Sequence, residues 1–165
     1  MSFNHFDARG QAIMVDVSGK DPTLRTAVAE AQVVLRPGTL ADIIDGRMTK
    51  GDVLVVARLA GIAAAKRTPE LIPLSHPLAI HHAAIEFDTD PATGVIVVTA
   101  TIRAFERTGV EMEAMVAASV ASLTIYDMCK GKDRSITIAK ISLLHKEGGK
   151  SGVYKRNVSG TKGTP

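Results

Sequence analysis

Residues 109–130 read GVEMEAMVAASVASLTIYDMCK, and the rest of the chain is best understood outward from them. No residue from Ala114 to Tyr126 is charged, which predicts a helix buried in the core with its charged residues at the two ends. Asp127 is unexpected there, because a carboxylate near a helix C-terminus opposes the helix dipole by up to about 1 kcal/mol. Lys130 lies one turn further on the same face and offsets that cost. A carboxylate and an ammonium group at the rim of an apolar helix predict acid–base chemistry.

The elements around this helix, predicted over 110–129, follow from hydrophobic periodicity. A second long helix is predicted over 52–67, and a short helix over 39–45 with Thr39 as its cap. The order strand, helix, strand, strand, helix, strand predicts a split β-α-β unit, an antiparallel sheet with the helices packed on one face, plus a short helical insertion. Alternating apolar residues place the strands over 27–36, 79–88, 95–103 and 135–144.

The composition favours one folded domain. The chain has 165 residues, of which 45% are hydrophobic, and this argues against disorder. We expect a flexible N-terminal arm over 1–12, a single domain over 13–157 and a flexible C-terminal tail over 158–165. Both long helices are apolar nearly all round, so one sheet face cannot cover them, and we expect a second copy of the chain to do so.

Charge and cysteine content bear on ligands and compartment. The formal net charge of +3 is compatible with a phosphorylated ligand and equally with an ordinary solubilising surface. The single cysteine, Cys129, excludes an internal disulfide and fits a reducing compartment. The first residues lack the apolar segment of a signal peptide, and no apolar stretch reaches the roughly 20 residues of a membrane span. We therefore expect a cytoplasmic protein without a membrane partner.

Several polar groups are candidates for a site. His76 stands between prolines in the loop over 73–77, which suits either a ligand contact or a surface imidazole. His81 and His82 would point to opposite faces of a strand, and no cluster has zinc-site spacing, so no metal site is predicted. The loop over 146–152, KEGGKSG, fails as a P-loop because Leu144 stands where that motif needs glycine. The loop is either a flexible cationic phosphate contact or an exposed turn.

The carboxylates of the long helix raise a question of distance. Glu111 and Glu113 diverge by about 200° around a helix, so they cannot closely face one site together. Glu113 and Asp127 share roughly one face but lie about 21 Å apart along a straight helix. If both are catalytic, either a subunit interface brings them together or the helix breaks. Lys50, just before the other long helix, could bind an anion, or Asp52 could simply cap that helix.

Taken in order, several short motifs resemble the cyclic pyranopterin monophosphate synthase family of molybdenum cofactor biosynthesis. The resemblance runs from residue 14 to residue 152, nearly the whole chain. It implies a ferredoxin-like α+β subunit and a hexamer built as three dimers, with active sites at the dimer interfaces. The matching pieces are IDGR (44–47), KGD (50–52), LIPL (71–74), HPL (76–78), TGVEMEA (108–114) and LTIYDMCK (123–130).

The resemblance also implies an activity and a set of site residues. Members of the family are lyases that convert 3′,8-cyclo-7,8-dihydroguanosine triphosphate into cyclic pyranopterin monophosphate and release pyrophosphate. Asp127 and Lys130 are then the central acid–base residues, and Arg25 is a triphosphate contact. The substrate pocket would be lined by Arg25, Lys50, Leu74, Ser75, His76, Glu111, Met112, Glu113 and Lys146.

One departure and the cofactor question accompany this assignment. Many relatives have cysteine where this chain has Ser75, so no thiol chemistry is available at that position. No redox cofactor is implied, because the reaction rearranges oxidation levels within one molecule, and a contribution from Mg²⁺ stays open. Pyrophosphate loss requires charge neutralisation, which lysine and arginine side chains can supply.

Two other functions compete with this enzyme. The split β-α-β plan also serves RNA-binding modules, but these stack bases on sheet aromatics, and only 4% of this chain is aromatic. Salt-dependent binding to single-stranded RNA without turnover would favour that alternative. A non-catalytic nucleotide-sensing protein would instead bind the triphosphate tightly without releasing pyrophosphate.

Overall fold

The structure is a computed structural model that describes residues 5–157. The elements are β1 (Thr23–Val34), α1 (Pro37–Ile44), α2 (Val53–Ala65), α3 (Thr68–Leu71), β2 (His82–Asp90), β3 (Val95–Glu106), α4 (Glu111–Cys129), β4 (Thr137–Glu147) and β5 (Tyr154–Lys155). The five strands form one antiparallel sheet in the order β2-β3-β1-β4-β5, and the long helices α2 and α4 pack together on one side of it. This is the predicted ferredoxin-like α+β fold, with the short α1 as the predicted insertion.

The central strand β1 confirms the predicted alternation but not the predicted bounds. Ala27, Ala29, Ala31 and Val33 are fully buried beneath the helices, as expected for one face of a strand. The strand begins at Thr23, before residue 27, because residues 23–26 pair with the ends of β3 and β4. The sequence did not show this, because the side chains of residues 23–26 do not alternate between buried and exposed. It ends before residue 36 because the Leu35 N–H donates to the carbonyl of Gly94 instead of to a neighbouring strand.

The predicted start and the predicted cap of the short helix were wrong. The short helix begins at Pro37, whose fixed φ suits a first turn, and Thr39 does not cap it. The Thr39 hydroxyl donates instead to the distant Asp133 carboxylate, at 3.3 Å. Helix α4 ends at Cys129, as predicted, and the chain leaves it through Lys130, which keeps a right-handed helical conformation.

The second long helix confirms the alternative in which Asp52 is a cap. Its carboxylate accepts a hydrogen bond from the Val55 N–H at 3.0 Å. The helix ends at Ala65, and Pro69 then takes its place in the first turn of α3. The structure also extends β3 to Glu106 and β4 to Glu147, and it adds β5, which the alternation of apolar residues did not reveal.

Strand register separates the molecule into two ends. Thr23 pairs with Glu106 and Thr26 with Glu147, so the start of β1 and the ends of β3 and β4 lie together. We call this the Arg25 end. Helix α4 starts there, directly after β3, and carries Asp127 to the opposite end, which we call the Asp127 end. Helix α2 begins at the Asp127 end, because Lys50 just before it donates to the carbonyl of Asp127, and it therefore packs antiparallel to α4.

Within residues 5–157, no helix combines the length and the apolar character needed to span a bilayer. Residues 5–12 make a tight turn closed by a bridge between Phe6 and Ala12. The predicted tail over 158–165 lies outside the described residues, and the division into arm, domain and tail stays a prediction.

Candidate active site

The last turn of α4 presents a carboxylate between two ammonium groups. Lys130 Nζ lies 2.5 Å from Asp127 Oδ1, and Lys50 Nζ lies 3.6 Å from Oδ2. Lys50 also donates to the main-chain carbonyl of Asp127 at 2.9 Å, which occupies an otherwise unsatisfied group at the helix end. The structure thus brings together three residues that the sequence predicted, although Lys50 and Asp127 are 77 positions apart in the chain.

The electrostatics of this cluster favour the charged forms of both Asp127 and Lys130. The hydrogen bond and the charge of Lys130, helped by Lys50, hold the pKa of Asp127 below its ordinary value. Asp127 in turn raises the pKa of Lys130. The Asp127 side chain is 59% exposed, so a ligand can reach the carboxylate.

A cleft of about 400 Å³ opens beside this cluster, lined by Lys50, Tyr126, Lys130, Gly131 and Arg134. Arg134 was not predicted as a site residue. Its only signal in the sequence is a basic residue shortly after Lys130, beyond the helix, where helical spacing gives no guide. Three cationic side chains accompany one carboxylate here, so the cleft suits an anionic ligand.

A larger cavity of about 670 Å³ lies at the Arg25 end, between the start of β1, the β3–α4 connection and the glycine-rich loop after β4. Arg25 is buried, and its guanidinium donates to the carbonyls of Glu106 at 3.0 Å and Arg107 at 3.1 Å. No carboxylate of residues 5–157 pairs with it, so its charge is available to a ligand. The charged lining has five basic residues (Lys20, Arg25, Arg107, Lys146, Lys150) against three acidic ones (Asp21, Glu111, Glu147).

The glycine-rich loop is part of this cavity rather than a detached turn. Gly148 and Gly149 both have positive φ, +100° and +72°. A Cβ at Gly148 would collide with the Leu24 carbonyl, and one at Gly149 with the Arg25 guanidinium. Glycine is therefore required for the loop to close over Arg25.

Lys146 and the first turn of α4 complete the wall of the cavity. Lys146 Nζ lies 2.8 Å from Glu111 Oε1 and 3.4 Å from the Ser151 hydroxyl. Met112, the next residue of α4, is exposed. Glu111 and Lys146 therefore form an ion pair at the surface of the cavity. Their positions in the sequence did not reveal this pairing.

Glu113 differs from Glu111 because it faces the interior. Its side chain is 2% exposed, and within the described chain Oε1 has no hydrogen-bond partner. Burial raises the pKa of Glu113 to about 7, and the neighbouring Glu111 charge acts in the same direction. Glu113 is thus an acid that holds its proton close to neutral pH.

The loop between α3 and β2 places Leu74, Ser75 and His76 at the Arg25 end, all half-buried. His76 Nε2 lies 2.7 Å from the carbonyl of Val15 and therefore donates its proton there. The loop is tied to β3 where the Ala79 N–H donates to Glu106 Oε1 at 3.1 Å. None of the three residues lines the two cavities described above.

One chain therefore carries two separate groups of predicted site residues. Lys50, Asp127 and Lys130 are at one end, and Arg25, Glu111 and Lys146 are at the other. From Glu111 to Asp127 the helix rises about 24 Å. Helix α4 runs unbroken over Glu111–Cys129, which excludes the alternative in which a broken helix brings the two groups together.

Metal ligands do not converge in the described part of the chain. No three His, Cys, Asp or Glu side chains of residues 5–157 are grouped so as to hold an ion. The absence of a protein-held metal and of any other cofactor stays a prediction, as does a contribution from Mg²⁺ that arrives with a phosphorylated ligand.

Comparison with known proteins shows that residues of both ends lie within the region matched by one family. A family model described as the MoaC family matches residues 14–149, a range that holds every predicted site residue. The chain belongs to the MoaC family. Among MoaC relatives, the cyclic pyranopterin monophosphate synthase of Geotalea uraniireducens (strain Rf4) is 80% identical over 156 residues, which cover 94% of this chain and 98% of that protein.

Two further relatives carry the same name. The cyclic pyranopterin monophosphate synthases of Geobacter metallireducens (strain ATCC 53774 / DSM 7210 / GS-15) and Pelobacter propionicus (strain DSM 2379 / NBRC 103807 / OttBd1) are 74% and 68% identical. Each match covers 94% of this chain and 98% of the relative. Membership in the MoaC family confirms the predicted family and agrees with the ferredoxin-like fold.

Proposed function

We propose that this chain is a lyase of molybdenum cofactor biosynthesis, a cyclic pyranopterin monophosphate synthase. It converts 3′,8-cyclo-7,8-dihydroguanosine triphosphate into cyclic pyranopterin monophosphate and releases pyrophosphate. Membership in the MoaC family and the name shared by its relatives support the activity. The observation that carries the chemistry is the exposed Asp127 carboxylate held between Lys130 and Lys50.

The Asp127 end supplies proton transfer. The reaction opens one ring of the substrate, closes a pterin ring and forms a cyclic phosphate, and each of these steps moves protons. Asp127 is ionised at neutral pH, as an exposed carboxylate ordinarily is, so it can accept a proton, and Lys130 and Lys50 hold it in place. Lys130 is charged and adjacent, so it can donate one. These two residues are the proposed catalytic pair.

The Arg25 end supplies charge for the phosphates. Arg25 has no carboxylate partner within residues 5–157, and the cavity around it has an excess of basic side chains. Such groups stabilise the charge that develops as pyrophosphate leaves. Lys146 and Glu111 line this cavity. Met112 and the buried acid Glu113 follow Glu111 in the first turn of α4, and the 74–76 loop lies at the same end of the molecule.

A complete site then requires two chains. The two ends lie about 24 Å apart in one chain, beyond the reach of a single small substrate. A symmetric dimer in which the Asp127 end of each chain meets the Arg25 end of its partner resolves the separation. Three such dimers would form the hexamer that the family resemblance implies.

We also infer a cytoplasmic location, since the chain has one cysteine and that thiol is buried.

Turnover of the purified protein tests this function directly. Asp127→Ala is expected to lower kcat/KM by roughly 10²–10⁴-fold, the usual cost of removing a general acid or base. Release of pyrophosphate from the cyclic nucleotide triphosphate is the measurement. Asp88→Ala, which removes an exposed carboxylate from β2, is the matched control and should retain wild-type turnover. A folded Asp127→Ala enzyme with near-wild-type kcat/KM would reject the assignment.

A further inference from the structure

A buried carboxylate that plays no part in the proposed chemistry stands directly behind the Asp127 end. Asp133 follows α4 by four residues and is 1% exposed. Its Oδ1 accepts hydrogen bonds from the Ser135 hydroxyl at 2.6 Å and the Ser135 N–H at 3.0 Å. Its Oδ2 accepts from the Arg36 N–H at 2.9 Å and the Thr39 hydroxyl at 3.3 Å.

An ion pair adds to these hydrogen bonds. Arg36 Nε lies 3.2 Å from Asp133 Oδ1, and the same guanidinium donates to the Lys132 carbonyl. Burial alone would raise the pKa of Asp133, but the hydrogen bonds from Ser135 and Arg36 and the Arg36 charge together hold it well below its ordinary value. Asp133 is thus a fully satisfied buried anion, which joins two segments about a hundred residues apart in sequence.

The joined segments are the turn after α4 and the corner between β1 and α1. The N–H groups of Lys132 and Asp133 both donate to the Cys129 carbonyl at 2.9 Å, so the turn continues directly from the last residue of the helix. That turn carries Lys130 on one side of Asp133 and Arg134 on the other, and both line the cleft beside Asp127. Lys132 makes a second attachment, to α1 itself, through an ion pair with Asp42 near the end of that helix.

We propose that Asp133 is a positioning residue for the reaction, because it clamps the 130–134 turn to the β1–α1 corner and so holds Lys130 against Asp127 and Arg134 in the same cleft. The inference rests on the proposed function of the Asp127 end. Asp133 itself is buried and lines neither cavity, so it acts only through the residues it holds. Small displacements of this kind are costly, because a misplacement of about 1 Å can lower a rate roughly a hundredfold.

Arg36→Ala is the preferred test, because the Arg36 side chain is 60% exposed and its removal leaves the core intact. Three quantities are measured: hydrogen exchange of the segment 126–136, the NMR titration of the Asp127 carboxyl carbon, and kcat/KM. The charged groups that face Asp127 are Lys130 on its own helix and Lys50 from the loop before α2, with Arg134 in the same cleft. A looser turn separates Lys130 from Asp127, so the Asp127 titration midpoint should rise.

The expected result for Arg36→Ala is faster exchange in 126–136, a higher Asp127 midpoint and about a tenfold loss of kcat/KM. Arg36→Lys restores part of each effect, and Asp133→Asn, if it folds, exceeds the effect of Arg36→Ala. Arg67→Ala is the matched control, because it removes an exposed guanidinium paired with Glu70 in the α2–α3 connection.

If folded Arg36→Ala has the same Asp127 titration midpoint and the same kcat/KM as the wild type, the proposal is overturned. A lower melting temperature would not rescue it, because a merely structural role predicts lower stability with an unchanged midpoint and unchanged kcat/KM. A wild-type protein without turnover would reject the proposed function instead. The exchange and titration measurements need no turnover, so they would still decide whether Asp133 positions the turn.

Discussion

Glu113 has an unusual environment for a glutamate, because its side chain is almost completely buried. The folded chain raises the pKa of Glu113 from 4.5 to about 7 by burying it without a hydrogen-bond partner for Oε1 among the described residues. Because the folded-state pKa is the higher one, its contribution to stability is complete below about pH 4.5 and is lost as the pH rises through about 7. At pH 8 the buried charge therefore destabilises the fold.

Glu113→Gln is accordingly expected to melt at a higher temperature than the wild type at pH 8. The amide keeps the shape of the side chain and removes the charge, so the difference should shrink toward pH 5, where the wild-type acid is neutral. Calorimetry at the two pH values measures this. A Gln variant that melts below the wild type at pH 8 would mean that the carboxylate has a partner and is stabilising.

The same substitution tests a role for Glu113 in proton transfer. An amide cannot donate or accept a proton as the carboxyl group does, so Glu113→Gln is expected to lower kcat about a hundredfold although the fold becomes more stable. Glu30→Gln is the control, because Glu30 is a largely buried carboxylate paired with Lys140 at 3.1 Å on β1 and β4, away from both ends. Wild-type kcat in Glu113→Gln would leave this acid without a catalytic role.

At the scale of elements, the loop after β4 is shaped by its glycines, and two of them form a matched pair. Gly149 and Gly152 have nearly the same positive φ, +72° and +67°, so alanine at either position costs roughly 1–2 kcal/mol of backbone strain. A Cβ at Gly152 meets nothing within 4 Å, whereas one at Gly149 meets the Arg25 guanidinium.

Gly149→Ala should therefore displace Arg25, and Gly152→Ala should not. We expect KM for the triphosphate substrate to rise about tenfold in Gly149→Ala, because the displaced Arg25 would lose one charge-assisted hydrogen bond to the substrate. Steady-state kinetics of the two variants compare them at similar backbone cost. Equal KM values would show that Arg25 does not contact the substrate.

Much of the element order could be predicted from the sequence, because periodicity records which face of each element is buried. The alternation of Ala27, Ala29, Ala31 and Val33 gave the central strand, and the uncharged run before Asp127 gave α4. Thr39 was predicted as a cap because local pattern cannot show a partner 94 residues away in sequence. The Asp133 network and the place of Arg134 were missed for the same reason, since they depend on long-range packing.

At the scale of the whole molecule, the outer face of α2 leaves apolar side chains uncovered. Leu59 is 63% exposed, and Val55 and Val56 lie one turn before it on the same helix. If a second chain covers this face, Leu59→Glu would place an unpaired charge in the interface, which costs several kcal/mol. Sedimentation should then show smaller species than for the wild type. Ile44→Glu, the same change at an exposed apolar residue of α1, should keep the wild-type assembly.

Sharing of the active site between two chains is the central claim, and subunit complementation tests it most directly. Asp127→Ala removes the base at one end of the chain, and Lys146→Ala removes the cation paired with Glu111 at the other end. Each variant alone should be nearly inactive. When equal amounts are unfolded and refolded together, mixed dimers contain one intact site, so about a quarter of wild-type turnover should return. A mixture no more active than its components would contradict a site built from two chains.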